Sequence, residues 1–182
     1  RNDENYLNEL RHIYKDYYLI PEGGTNDLGV LGCQEILRSE DKVFDYICCS
    51  VGTGGTISGL INSSINNQKI IGFSSINKKY LLNDISKFVI KKNWKLNDEF
   101  SFGGYGKVNE ELIDFMNDFK LKYGILLDPI YTSKLVYGVF NLILNNYFKP
   151  NSKVLMIHTG GHQGILPMNI FLKKKNLTTI NL

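Results

Sequence analysis

Three short runs of apolar and β-branched residues constrain this chain more than anything else in it: residues 43–51 (VFDYICCSV), 69–74 (KIIGFS) and 153–158 (KVLMIH). Unbroken rather than alternating hydrophobicity is what a strand shows when both of its faces are covered. Around these runs lie segments with apolar residues at helical spacing. They are 5–16 (Leu7, Leu10, Ile13, Tyr14), 30–39, 56–66, 79–91, 109–123 (Leu112, Phe115, Met116, Phe119) and 133–147 (Val136, Val139, Phe140, Ile143, Leu144). Strands alternating with helices require crossover connections. The expected fold is therefore α/β, a mostly parallel open sheet with helices on both faces. Residues 22–29 are expected to be a loop and 98–102 a short extended segment. No repeat, low-complexity tract or linker interrupts the pattern, so residues 1–182 read as a single α/β domain.

Composition matters mainly for what it excludes. With 43% hydrophobic and 21% charged residues the chain can bury a core. A net charge of +3, spread along the sequence, points to no nucleic-acid groove. No apolar stretch is long enough to span a membrane, and the polar start at residues 1–16 is no signal peptide. Cys33, Cys48 and Cys49 form neither a disulfide framework nor a zinc site and sit in apolar segments as core thiols. A reducing cytoplasm is the expected compartment. The chain opens at Arg1, partway through a helical pattern, so it is expected to be a piece of something longer.

Ligands of open α/β sheets collect at the carboxyl ends of strands. Four loops are expected there: residues 21–26 (PEGGTN), 50–56 (SVGTGGT), 128–134 (DPIYTSK) and 158–164 (HTGGHQG). The Gly52-Thr53-Gly54-Gly55-Thr56 turn, between a buried strand and a helix, offers backbone N–H groups, two hydroxyls and a helix N-terminus, which together suit a phosphate. No Lys follows its last Gly, and Ile57 stands where a dinucleotide fingerprint has its third Gly, so neither of those motifs applies. A plain tight turn needing glycine explains the same residues. His158 and His162 are four apart, but Gly160 and Gly161 between them break a helical metal face. Lys107 and Lys134 are candidate amine nucleophiles, although among eighteen lysines solvated charge is the ordinary role.

Taken together, IPEGGTNDLGVLG (20–32), SVGTGGTISG (50–59), FGGYGKVNEE (102–111), DPIYTSK (128–134) and HTGGHQG (158–164) resemble a family of pyridoxal-phosphate enzymes. It is the family of 1-aminocyclopropane-1-carboxylate (ACC) deaminase and D-cysteine desulfhydrase, within the tryptophan synthase β-subunit-like fold. The stretches occur in the family's order. The resemblance implies that Gly52, Thr53, Gly54, Gly55 and Thr56 hold the phosphate of pyridoxal 5'-phosphate. It implies that Tyr131 and Tyr105 are active-site tyrosines, and that Thr132 faces the pyridine nitrogen. ACC deaminases carry Glu and Leu where this chain has Thr132 and Thr159. A threonine hydroxyl offers a neutral hydrogen bond instead of a charge pair, which favours β-elimination from D-cysteine or a related amino acid over ring opening of ACC. The family's cofactor-bearing lysine, in a Gly-Asn-Lys context, and the serine–asparagine loop after it have no counterpart. Asn77-Lys78-Lys79 follows the 69–74 run, in the wrong place. The chain thus corresponds to the larger, cofactor-binding domain, incomplete, with residues 1–16 as the tail of a smaller one. The parent enzyme is expected to be a homodimer acting on a small amino acid, with no nucleic-acid or membrane partner. Two other readings remain at this stage: a non-catalytic phosphate-binding α/β module, and a threonine-dehydratase-like or cysteine-synthase-like relative. The latter would share the glycine loop but lack the pairing of DPIYTSK with HTGG.

Overall fold

Ile47, Cys48 and Cys49 are wholly shielded from solvent, because the strand that carries them has neighbours on both edges and helices on both faces. The computed structural model describes residues 3–76 and 78–182; Arg1, Asn2 and Asn77 lie outside them, so the opening at Arg1 and the first residue of Asn77-Lys78-Lys79 have no structural account. In chain order the elements are α1 (Glu4–Ile13), α2 (Asp27–Cys33), β1 (Tyr46–Val51), α3 (Gly55–Ser63), β2 (Lys69–Ser74), α4 (Lys78–Ser86), β3 (Trp94–Asn97), α5 (Glu110–Tyr123), α6 (Thr132–Leu144), β4 (Val154–Ile157) and α7 (Ile165–Lys174). The sheet runs β3-β2-β1-β4, every pair parallel, with Ile47 in register with Ile70 on one side and Leu155 on the other.

Side-chain alternation divides β1 between two cores. Ile47, Cys49 and Val51 pack with Ile57, Leu60 and Ile61 of α3 and Leu81 and Ile85 of α4. Tyr46 and Cys48 face the other way, with Ile71 and Phe73 of β2, against Leu135, Val139 and Leu142 of α6. A third cluster joins α5, α6 and α7 through Leu112, Ile113, Met116, Val136, Ile165, Met168 and Leu172. Each fully buried Leu or Ile stabilises the fold by about 1.5–3 kcal/mol. The sheet orientation follows from this sandwich and leaves the carboxyl ends of the strands open.

Several elements differ from the sequence-based expectation. The β1 strand starts at Tyr46 rather than residue 43, because Ser39–Val43 winds into a 3₁₀ turn and leaves Val43 exposed. Helix α2 begins inside the expected 22–29 loop: Asn26 caps it, its Oδ1 accepting the Gly29 N–H at 2.7 Å. It stops at Cys33 and continues only as a 3₁₀ turn over Gln34–Ile36. Residues 98–102 are not extended. The strand is Trp94–Asn97, and Asn97 ends it by accepting the Glu99 N–H at 3.0 Å. Helix α7 has no counterpart in that expectation, although Ile165, Met168 and Leu172 have helical spacing. Among the described residues no helix is long and apolar enough to cross a membrane.

Candidate active site

The β1 strand delivers the chain to its carboxyl edge at Val51, and the turn beyond it depends on Gly54. Its φ of +97° is left-handed, and a Cβ there would stand 2.8 Å from Ile85 Cγ1. A side chain would meet strain and the core together. Helix α3 then starts with no side chain capping its first N–H groups. Such orphan donors, with the positive end of the helix dipole, form an anion site. They face a cleft of about 170 Å³ lined by Gly23, residues 50–57, Tyr131 and Thr159. Gly52 lets Tyr131 close the cleft, because a Cβ there would lie 3.0 Å from its Oη. The lining offers backbone amides and hydroxyls but no carboxylate, which is the donor set a phosphate monoester requires.

Two of the four loops expected at strand ends do follow strands, 50–56 after β1 and 158–164 after β4. The other two follow irregular chain and reach the same edge by packing. The 21–26 loop is tied on by the Thr25 and Thr53 hydroxyls at 2.6 Å, and the 128–134 loop by Ser75 Oγ donating to the Ile130 carbonyl at 2.8 Å. The cleft therefore draws on segments far apart in sequence.

Asp128, which is 1% exposed, organises the tyrosine loop. Its Oδ1 accepts the N–H groups of Ile130 at 2.8 Å and Tyr131 at 2.9 Å, and its Oδ2 accepts the Thr132 N–H and hydroxyl, both at 2.7 Å. The Asp128 N–H donates back to Thr132 Oγ1 at 2.8 Å. The structure places Thr132 behind the cleft: its side chain is buried, its hydroxyl donates to Asp128 and accepts the Asp128 N–H, and it is not among the lining residues. The hydroxyls that do line it opposite the turn are Thr159 and Ser50, 3.4 Å apart.

Tyr131 is half-buried, and Tyr105 stands edge-on to it with ring centroids 5.9 Å apart. Burial, then the Tyr105 phenol and the Asp128 and Glu22 carboxylates, push the Tyr131 hydroxyl up to about 12. Tyr131 is therefore a protonated donor at neutral pH. Tyr105 lies at the mouth, 58% exposed. Gly52, Thr53, Gly54, Gly55, Thr56, Tyr131 and Thr159 are thus brought together, while Tyr105 is adjacent and Thr132 lies behind. Ser50, Asp128 and the Thr25–Thr53 pair were missed. The Asp-Pro-x-x-Thr spacing ahead of a helix was the one signal for Asp128.

The remaining candidates lie outside the cleft lining. His158 Nε2 and His162 Nε2 both reach the Leu126 carbonyl, at 3.0 and 2.9 Å, and His158 Nδ1 accepts the Gly160 N–H at 3.1 Å. That pattern assigns the His158 proton to Nε2. Among the described residues no three His, Cys, Asp or Glu side chains could hold a metal ion. Burial pushes the thiol of Cys48 up to about 12 and that of Cys49 higher still, as befits inert core residues. Lys107 is exposed, and Lys134 is buried with its ammonium turned to the 101–106 loop.

Comparison with known proteins agrees with this geometry. No family model matches the chain. A Pyrococcus furiosus protein provisionally named 1-aminocyclopropane-1-carboxylate deaminase is 32% identical over 182 aligned residues, covering 88% of this chain and 55% of the relative. The Arabidopsis thaliana mitochondrial bifunctional D-cysteine desulfhydrase/1-aminocyclopropane-1-carboxylate deaminase is 30% identical over 172 residues, 83% of this chain and 43% of the relative. The crystal structure of an ACC deaminase homologue superposes with a TM-score of 0.77 at 32% identity, over 94% of this chain and 57% of that one. The chain spans about half the length of these relatives. The parallel sheet with helices on both faces is that of the tryptophan synthase β-like enzymes, as expected from the sequence.

Proposed function

The chain belongs to the family of ACC deaminases and D-cysteine desulfhydrases, and on that premise we propose that it is the cofactor-binding domain of a pyridoxal-phosphate-dependent lyase or deaminase. The observation that carries the reading is the uncapped start of α3 behind the crowded turn at Gly54, opening on a cleft without carboxylates. Residues 52–56 hold the cofactor phosphate. When bound, pyridoxal phosphate supplies an electron sink for the α-carbon of an amino acid. Tyr131, held neutral and aimed by Asp128, donates a hydrogen bond to cofactor or substrate. Tyr105 closes over it and shields the site from water. Thr159, with Ser50 beside it, offers the ring nitrogen a neutral hydroxyl. That role passes to Thr159 because Thr132 is committed to Asp128.

A neutral partner favours substrates whose α-proton leaves readily and whose β-substituent is a good leaving group. The proposed reaction of the parent enzyme is thus β-elimination from D-cysteine or a similar amino acid, giving pyruvate, ammonia and sulfide. ACC deamination to 2-oxobutanoate and ammonia is the second reading, favoured by the names of the relatives. Three free thiols suit a cytoplasmic, reducing setting, and the parent is proposed to be a homodimer.

The test has two parts. Titrating this chain with pyridoxal phosphate should give saturable absorbance changes that inorganic phosphate competes away, and borohydride reduction should label lysines only sparsely. Absence of saturable binding, or stoichiometric labelling of one lysine, would count against the assignment. With the full-length enzyme, sulfide release from D-cysteine is expected; efficient 2-oxobutanoate formation from ACC without it would move the substrate to the second reading.

A further inference from the structure

The loop that presents Tyr105 has little holding it in place by itself. Residues 102–106 contain four left-handed backbone positions, Phe102 at φ +53°, Gly103 at +91°, Gly104 at +121° and Gly106 at +65°. Its own hydrogen bonds are two backbone turns, Gly104 N–H to Ser101 O and Lys107 N–H to Gly104 O. Tyr105 is exposed and meets the site at Tyr131, edge-on to its ring. A glycine-rich loop of this kind samples many conformations unless something outside it selects one.

Phe102 anchors the start of the loop edge-on to Tyr137 of α6, with ring centroids 4.9 Å apart, and Lys134 restrains the bend that follows. This lysine sits in the first turn of α6, three residues after Tyr131, and is 2% exposed. Its Nζ donates to Ser101 O at 2.8 Å and to Gly104 O at 2.7 Å, the carbonyls on either side of the loop's first bend. Burial pulls the ammonium down to about 8, with the Asp128 carboxylate acting the other way. An ammonium is taken out of water at such cost only when it is well bonded, and charge-assisted bonds are the stronger kind. The residue that holds the loop and the residue the loop must meet therefore stand on the same helical turn, so Tyr105 and Tyr131 share one rigid reference.

We propose that Lys134 is a positioning residue: by holding the Ser101 and Gly104 carbonyls, it sets where Tyr105 stands against Tyr131 at the mouth of the cleft. The latch itself rests on geometry alone; its bearing on the cofactor rests on the reading of the site given above.

Fluorotyrosine incorporated throughout the chain gives one ¹⁹F signal per tyrosine, and Tyr105→Phe and Tyr46→Phe assign two of them. In Lys134→Met the Tyr105 signal should move toward the solvent-exposed position or broaden. Amide exchange at Gly104 and Lys107 should accelerate at least tenfold, while Tyr46 on β1 stays unchanged. Lys134→Arg, which keeps the charge and the donors, should restore part of both effects. If the methionine variant does not fold, the arginine variant carries the test, since its longer donor must shift Tyr105 measurably. An unchanged Tyr105 signal in the folded variant overturns the latch. Equal disturbance of Tyr105 and Tyr46 also overturns it, because a merely structural lysine would act so. Failure of the cofactor reading is distinguishable: no variant, wild type included, would then bind pyridoxal phosphate, while the ¹⁹F result stands.

Discussion

The turns after β1 and β4 look alike in sequence, SVGTGG and IHTGGHQG, and they end at neighbouring parallel strands. Each also carries a crowded left-handed glycine immediately before the helical turn that follows it. Gly54 has φ +97° with its would-be Cβ 2.8 Å from Ile85, and Gly161 has φ +98° with its would-be Cβ 2.9 Å from Asp128. Beyond these glycines the two turns part ways. After Gly54 the α3 helix begins at once, its first N–H groups uncapped and facing the cleft. After Gly161 the chain makes a 3₁₀ turn, and His158 and His162 fold onto the Leu126 carbonyl. One turn is left available to a ligand and the other is tied into the protein, contributing Thr159 alone to the lining. A glycine-rich turn at a strand end is therefore not in itself an anion site. The packing around it decides how much of it lines a cleft.

The largest expected effect lies at the first turn. Gly54→Val adds a strained backbone position to an overfilled contact, costing about 3 kcal/mol of stability in urea unfolding, and should abolish saturable pyridoxal-phosphate binding. Full retention of affinity in a folded Gly54→Val chain would remove the distinction between the turns. Next comes Asp128→Asn, whose amide nitrogen cannot accept. Some of the N–H groups of Ile130, Tyr131 and Thr132 lose their partner, at a cost of about 2 kcal/mol, and the Tyr131 ring should gain mobility in ¹⁹F relaxation. His162→Ala should cost about 1 kcal/mol and leave cofactor affinity as it was. A large fall in affinity would show that the second turn is part of the phosphate site after all.

The effect that is smallest near neutral pH shows itself only at alkaline pH. Burial raises the Cys48 thiol on β1 from 9.0 to about 12, so the folded chain keeps a proton that the unfolded chain has released. The stability this represents is complete below pH 9 and is lost as pH rises toward 12. Lys134, lowered from 10.5 to about 8, acts in the opposite sense, adding stability as pH rises between those values. Unfolding of Cys48→Ala across pH 9–12 should show a flatter decline than the parent chain, and an identical slope would contradict burial as the cause.

How much of this was legible depended on the range of the interactions. The strand 69–74 was read to the residue, since a six-residue run buried on nearly every position needs no partner to be identified. Helix α5 was read almost as well, because Asn109 caps it and Gly124 ends it, both local signals. The start of α2 was not, since Asn26 looked like one more loop residue among glycines. Residues 98–102 were misassigned because the turn there is set by the Asn97 side chain, not by hydropathy.

The site divides in the same way. Composition and order within 52–56 determined a strand–turn–helix unit rich in backbone donors, because those bonds lie within a few residues of one another. The resemblance of five separated stretches determined the family. Only the tertiary structure decided which hydroxyls meet the cleft, turning Thr132 inward to Asp128 and leaving Thr159 beside Ser50. Only it decided that Lys134 is a tether rather than a nucleophile, since its partners lie 30 and 33 residues away. Local backbone conformation follows from neighbours in sequence. The direction a polar side chain takes follows from whichever buried partner would otherwise go unsatisfied, and that partner is known only once the chain has folded.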